Sequence, residues 1–141
     1  MSVLIILNLI AKNERIEWGE NSMEDKYLFK AKRVDNGEWI QGYLYSSWEK
    51  RYILWGMTND IPNMIEVDPS TICQCTGMRD KNSKLIWEND IVKYDCGETR
   101  IDFIEYQPPI FTYSKSIRWN LQQDEVIGNI FDNPELLEIG K

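Results

Sequence analysis

Short runs in which apolar and polar residues alternate, separated by turn-forming residues, fill most of the chain. Tyr27 to Val34 alternates and places Tyr27, Phe29 and Ala31 on one face of a strand. Asp35-Asn36-Gly37 follows, and Asn-Gly is a strong hairpin signal. Trp39 to Tyr45 is the return strand, in which Gly42 marks a bulge or a close backbone approach. Ser46 to Lys50 reads as a polar turn and Arg51 to Trp55 as a third strand. Gly56 to Asn63, with Pro62, reads as a loop, and Met64 to Val67 as a fourth strand. A brief turn at Ser70 or Thr71 leads into Ile72 to Cys75.

Thr76 to Tyr94 carries the densest set of such signals. Arg79 to Ser83 is a polar turn, Leu85-Ile86-Trp87 a short apolar run, Glu88-Asn89-Asp90 a second turn, and Ile91 to Tyr94 a strand. Gly77, Asp80, Asn82, Asn89 and Asp90 are the residues expected to set these turns, with Asp90 bonding nearby backbone N–H groups. Asp95 to Glu98 turns the chain into Arg100 to Tyr106, where Ile101, Phe103 and Glu105 share a face. Pro108-Pro109 breaks that strand. Ile110 to Tyr113 and Ser116 to Leu121 are weaker strands, and Val126 to Phe131 is the last, with Gly128 as a bulge. Asn133 suits a helix N-cap and Pro134 a first helical position, so Pro134 to Ile139 is expected to form a short helix. The fold class expected is mainly β: a small antiparallel barrel of SH3-like kind, with extra strands and a short C-terminal helix.

The Thr76–Tyr94 stretch resembles the signature of the YopX family of small phage and prophage proteins. There a Thr-Gly-Leu-x-Asp-x-Asn-Gly turn precedes Ile-Phe-Glu-Gly-Asp-Ile-Val. Ile65 to Ile72 and Val126 to Leu137 agree with it, and with Tyr27 to Tyr45 the likeness spans roughly residues 23–138. Ser83 and Asn89 stand where the family usually has Gly, and Trp87 where it usually has Phe. Asn tolerates a left-handed backbone, whereas Ser is less comfortable there. The resemblance implies a small β-rich fold of phage origin and supplies no catalytic residues.

Val3 to Ile10 is apolar but too short to span a bilayer, and it lacks the flanks of a secretory signal. Residues 1–22 read as an N-terminal extension to a domain over 23–141. Met23 is a second candidate start, because the codons for Trp18-Gly19-Glu20 place a purine-rich run just upstream of it.

Composition narrows the chemistry. A chain of 141 residues suffices for one domain with a core. A net charge of −7 argues against binding duplex nucleic acid, which needs a basic face. The absence of His removes Ser-His and Cys-His catalysis and His-containing metal sites. Cys73, Cys75 and Cys96 form no zinc-knuckle or redox spacing; Cys73 and Cys75 share a strand face and are expected to be buried. No cofactor or metal is expected, and the odd thiol count fits a reducing bacterial cytoplasm.

Six Trp and seven Tyr exceed what a small core needs. In Trp48 to Trp55, aromatic and basic residues alternate. Either Trp48, Tyr52 and Trp55 stack on a base while Arg51 meets a phosphate, or this is a hairpin with solvated cations. In Tyr106 to Trp119, Tyr113, Lys115, Arg118 and Trp119 either form a binding loop or fold back onto the core. The function expected is non-enzymatic binding of a small nucleotide-type ligand, such as a host-defence signal, by a homo-oligomer. A protein–protein module and, more remotely, a carboxylate-based enzyme are the alternatives.

Overall fold

A computed structural model describes residues 27–95, 97–107, 110–113 and 123–139. The fold is mainly β, built of antiparallel ladders with one short C-terminal helix. Contacts divide the chain into two compact units, Met1–Gln74 and Cys75–Lys141.

In the first unit, β1 (Leu28–Lys32), β2 (Trp39–Ser47), β3 (Lys50–Thr58) and β4 (Ile61–Val67) pair in sequence order. The loop between β1 and β2 spans six residues: Arg33 N–H bonds to the Glu38 carbonyl, and Gly37 supplies a left-handed φ of 74°. Trp48 and Glu49 make a two-residue turn between Ser47 and Lys50. The expected loop at Gly56–Asn63 is instead a tight hairpin. Thr58 pairs with Ile61, and Asn59 and Asp60 both take positive φ, the pattern of a type I′ turn that matches strand twist. Pro62 is tolerated because at its end β4 pairs on one side only, with β3.

Ala31, Ile53 and Val67 form the core of this unit, with Phe29, Ile40, Leu44, Ile65 and Ile72 against them. At one point the sheet comes round on itself. Arg33 bridges Val67, Val34 N–H bonds to the Glu66 carbonyl, and Asp68 N–H bonds to the Lys32 carbonyl. This single bridge curls the four strands around the core; no ladder closes a barrel among the described residues. Leu28, Tyr43 and Leu54 are also buried, so β1 to β3 are covered on both faces. Phe29 and Ala31 share the core-facing side as the alternation predicts, while Tyr27, before β1 begins, is exposed. Gly42 holds the close approach: a Cβ there would collide with the Leu54 carbonyl.

A single 3₁₀ turn at Pro69–Thr71, capped by Asp68, leads into β5 (Cys73–Arg79). Phe29 and Lys30 pair with the first residues of β5, which then continues into the second unit. Cys73 and Cys75 are buried thiols, and Cys96 lies outside the described residues.

In the second unit, β5 pairs with β6 (Leu85–Trp87). Four strands then pair in the order β10 (Glu125–Asn129), β7 (Asp90–Asp95), β8 (Thr99–Gln107) and β9 (Ile110–Tyr113). Ile86, Val92, Tyr94 and Ile104 form the core, with Met78, Phe111 and Val126 packed on it. On β8 the buried face carries Asp102 and Ile104, while Ile101, Phe103 and Glu105 share the other, half-buried face. Asp102 lies opposite Val92, and its carboxylate accepts the Phe103 N–H, which offsets the cost of burying it. The register shift between Val126 and Gly128 is a bulge, and a Cβ at Gly128 would lie 2.6 Å from Asn133 Oδ1. The helix α1 is limited to Leu136–Ile139; Pro134 and Glu135 form an i→i+3 turn before it. The strand expected at Ser116–Leu121 lies outside the described residues.

Candidate functional site

The register of the first unit opens a groove of about 690 Å³, lined by residues of β2, β3 and β4 and by Arg33, which follows β1. Sites for small ligands run to roughly 300–1,000 Å³. Its lining is aromatic at Trp39 and Trp55, apolar at Ile40, Pro62, Met64 and Ile65, and polar at Arg33, Gln41 and Asn63. The two indoles are sixteen positions apart in sequence, and only the β1–β2–β3 pairing brings them to one cavity. Trp55 is half exposed.

Cations collect beside it. The ammonium groups of Lys30 and Lys32 lie 4.8 and 5.4 Å from the centroid of the Trp39 ring, favourable positions over an indole. Lys32 is directly opposite Trp39 in the ladder, and Lys30 is one pleat further along the same face. Arg33 forks onto Asp35, with Nε–Oδ1 at 2.9 Å and Nη2–Oδ2 at 2.7 Å. Those hydrogen bonds hold the Asp35 carboxyl below the usual carboxylate range and raise Arg33.

The structure does not gather the first constellation expected from sequence. Only Trp55 lines the groove. Trp48 sits at the tip of the β2–β3 turn, about 23 Å away along an extended strand. It is 94% exposed and holds a φ of 57°, unusual for a bulky side chain. Arg51 Nη1 donates to the carbonyls of Trp48 and Lys50, each at 3.2 Å. Tyr52 packs on Tyr45 with ring centroids 6.1 Å apart. Of the second constellation, the backbone of Tyr113 pairs with Ile104, while Lys115, Arg118 and Trp119 lie outside the described residues. Sequence reasoning missed Arg33 and Trp39. The available signal was their position on either side of the Asn36-Gly37 turn, which forces them to the same end of a hairpin.

The turn residues lie where the second unit is tied together. Asp80 accepts N–H bonds from Asn82 and Lys84 on Oδ1 and from Val126 on Oδ2. Gly77, Ser83 and Asn89 take φ of 77°, 63° and 69°. Asn89 N–H bonds to the Ile104 carbonyl, and its own carbonyl accepts from Ile130. Asp90 Oδ2 accepts the Trp87 N–H at 2.9 Å. Among the described residues, no three His, Cys, Asp or Glu side chains are grouped to hold a metal, and no helix is long and apolar enough to cross a membrane.

A family model described as "YopX protein" matches residues 20–138. The crystal structure of protein EF1440 from Enterococcus faecalis is similar, with a TM-score of 0.51 and 23% identity, over 77% of this chain and 96% of that one. At that identity the likeness concerns the fold alone. No curated protein matches the chain.

Proposed function

The chain belongs to the YopX family, and from that premise we propose that it is a phage-encoded, non-enzymatic protein that binds or sequesters a small nucleotide-type ligand, such as a signal of host defence. The observation that carries the reading is the convergence of Trp39, Trp55 and Arg33 on one groove. A half-exposed indole offers a face on which a base stacks, typically for about 1–3 kcal/mol. A guanidinium offers a planar fork that matches phosphate oxygens. Pro62, Met64 and Ile65 strengthen both contacts by excluding water. The chain contains no His to serve as a general base, in keeping with binding rather than turnover.

The test is thermal melting with mononucleotides, cyclic dinucleotides and ADP-ribose derivatives. A ligand at a hundred times its Kd stabilises by about 2.7 kcal/mol, and Trp55→Ala is expected to erase that shift. A panel without any shift sinks the reading.

The alternative, a protein–protein module acting on a host or phage partner, draws on Trp48. A fully presented indole at a turn tip has the form of an interface anchor. Capture of a defined partner that Trp48→Ala abolishes and Trp55→Ala spares would favour it. Self-association in the bacterial cytoplasm is part of the proposal under either reading, since strand edges need cover. Sedimentation equilibrium returning a monomer at every concentration would remove it.

A further inference from the structure

We infer that Asp35 is an internal stand-in for a ligand's phosphate: a phosphorylated ligand entering the groove displaces the Asp35 carboxylate from the Arg33 fork, so the groove selects phosphate esters over their parent nucleosides. The inference rests on the groove reading above and adds its anionic end. Arg33 lines the groove, yet two of its nitrogens are turned onto the two oxygens of Asp35. Both side chains are partly solvated, at 31% and 53% exposure, so exchanging one anion for another costs little. A phosphate presents the same pair of acceptors with more charge and a third oxygen.

Two further features favour an anion at this end. The ammonium groups of Lys30 and Lys32 lie over the ring of Trp39, which lines the groove as Arg33 does, in a chain whose net charge is −7. Asp35 and Glu38 offset part of the charge at Arg33, and once Asp35 leaves the fork the cations complement an anionic ligand. Asp35 can also leave cheaply. It sits in the six-residue loop between β1 and β2, with its side chain more than half exposed. A carboxylate so exposed exchanges its guanidinium contact for water at little cost.

The experiment is calorimetric titration of AMP and of adenosine into the full chain, and into Asp35→Asn and Arg33→Gln. The wild type is expected to bind AMP more tightly than adenosine. Asp35→Asn removes both the competitor and a like charge, so AMP binding tightens by about threefold while adenosine is unchanged. Arg33→Gln weakens AMP by about tenfold, down to the level of adenosine, and leaves adenosine within about twofold. Circular dichroism checks the fold of each variant, and Asp35→Ser replaces Asp35→Asn if the latter misfolds. Unchanged or weaker AMP binding in Asp35→Asn overturns the inference, as does an equal loss of both ligands in Arg33→Gln. Either of these results, with Trp55→Ala still abolishing binding, leaves the groove reading standing. No binding of AMP or adenosine to the wild type overturns the inference as well, and the groove reading falls with it only if the cyclic dinucleotides and ADP-ribose derivatives also give no shift.

Discussion

The Asp80 carboxylate accepts the backbone N–H of Val126 at 2.9 Å, across 46 residues of sequence. Its other oxygen takes the N–H groups of Asn82 and Lys84, so one buried side chain closes a turn and anchors β10. Asp80→Ala leaves three N–H groups facing a gap and is expected to cost about 3 kcal/mol or more. Asp80→Asn turns a donor toward a donor on one side and is expected to cost about 2 kcal/mol. Urea unfolding measures both. A loss under about 1 kcal/mol for the alanine variant would contradict this account of the turn.

Left-handed backbone is concentrated at residues other than glycine. Ser83 and Trp48 hold φ of 63° and 57°, a conformation that costs a side-chain-bearing residue about 1–2 kcal/mol. Ser83→Gly and Trp48→Gly are each expected to stabilise by about 1 kcal/mol, less the entropy a glycine adds to the unfolded chain. Thermal or chemical denaturation decides, and a fall in stability for either would show that the side chain contributes more than the strain removes.

At Gly42 the sign is opposite. A methyl group would run into the Leu54 carbonyl and the Ile53 side chain, both part of a neighbouring strand that cannot give way locally. Gly42→Ala is expected to destabilise by about 1–3 kcal/mol and to broaden amide signals along β2 and β3. A variant as stable as the wild type would mean that the strands are further apart than described.

Asp68 accepts from the Ser70 hydroxyl at 2.8 Å and from the Ser70 N–H at 3.0 Å, and these bonds hold its carboxyl below the usual range. A depressed folded-state pKa adds stability above the unfolded value of about 3.9, and that stability is lost as pH falls through the folded value. Carboxyl NMR titration is expected to place the Asp68 midpoint below that of an ordinary aspartate. Ser70→Ala should return it most of the way; a midpoint indifferent to Ser70 would refute the cause given.

Much of the fold was legible in the sequence because the strands are short and their turns carry distinctive residues. Glu88-Asn89-Asp90 and Arg79–Ser83 stand out as turns from their polarity alone. The β3–β4 hairpin did not, because Pro62 reads as a breaker unless the strand is known to pair on one side only. Which face of β8 is buried was not legible, because a hydrogen-bonded Asp102 occupies a core position where alternation leads one to look for apolar residues. The groove was the least legible part. Arg33, Trp39 and Trp55 are scattered in sequence, and pairing register alone assembles them. Trp48 and Trp55 looked like one cluster only because they are close along the chain.

The central claim is that the Trp39–Trp55 groove binds a nucleotide-type ligand. Indole N–H signals report it directly, each assigned by substituting its tryptophan and followed during titration with AMP. The account predicts that the Trp39 and Trp55 signals move together and saturate while Trp48 stays in place. Unmoved Trp39 and Trp55 signals, or a response confined to Trp48, would contradict it.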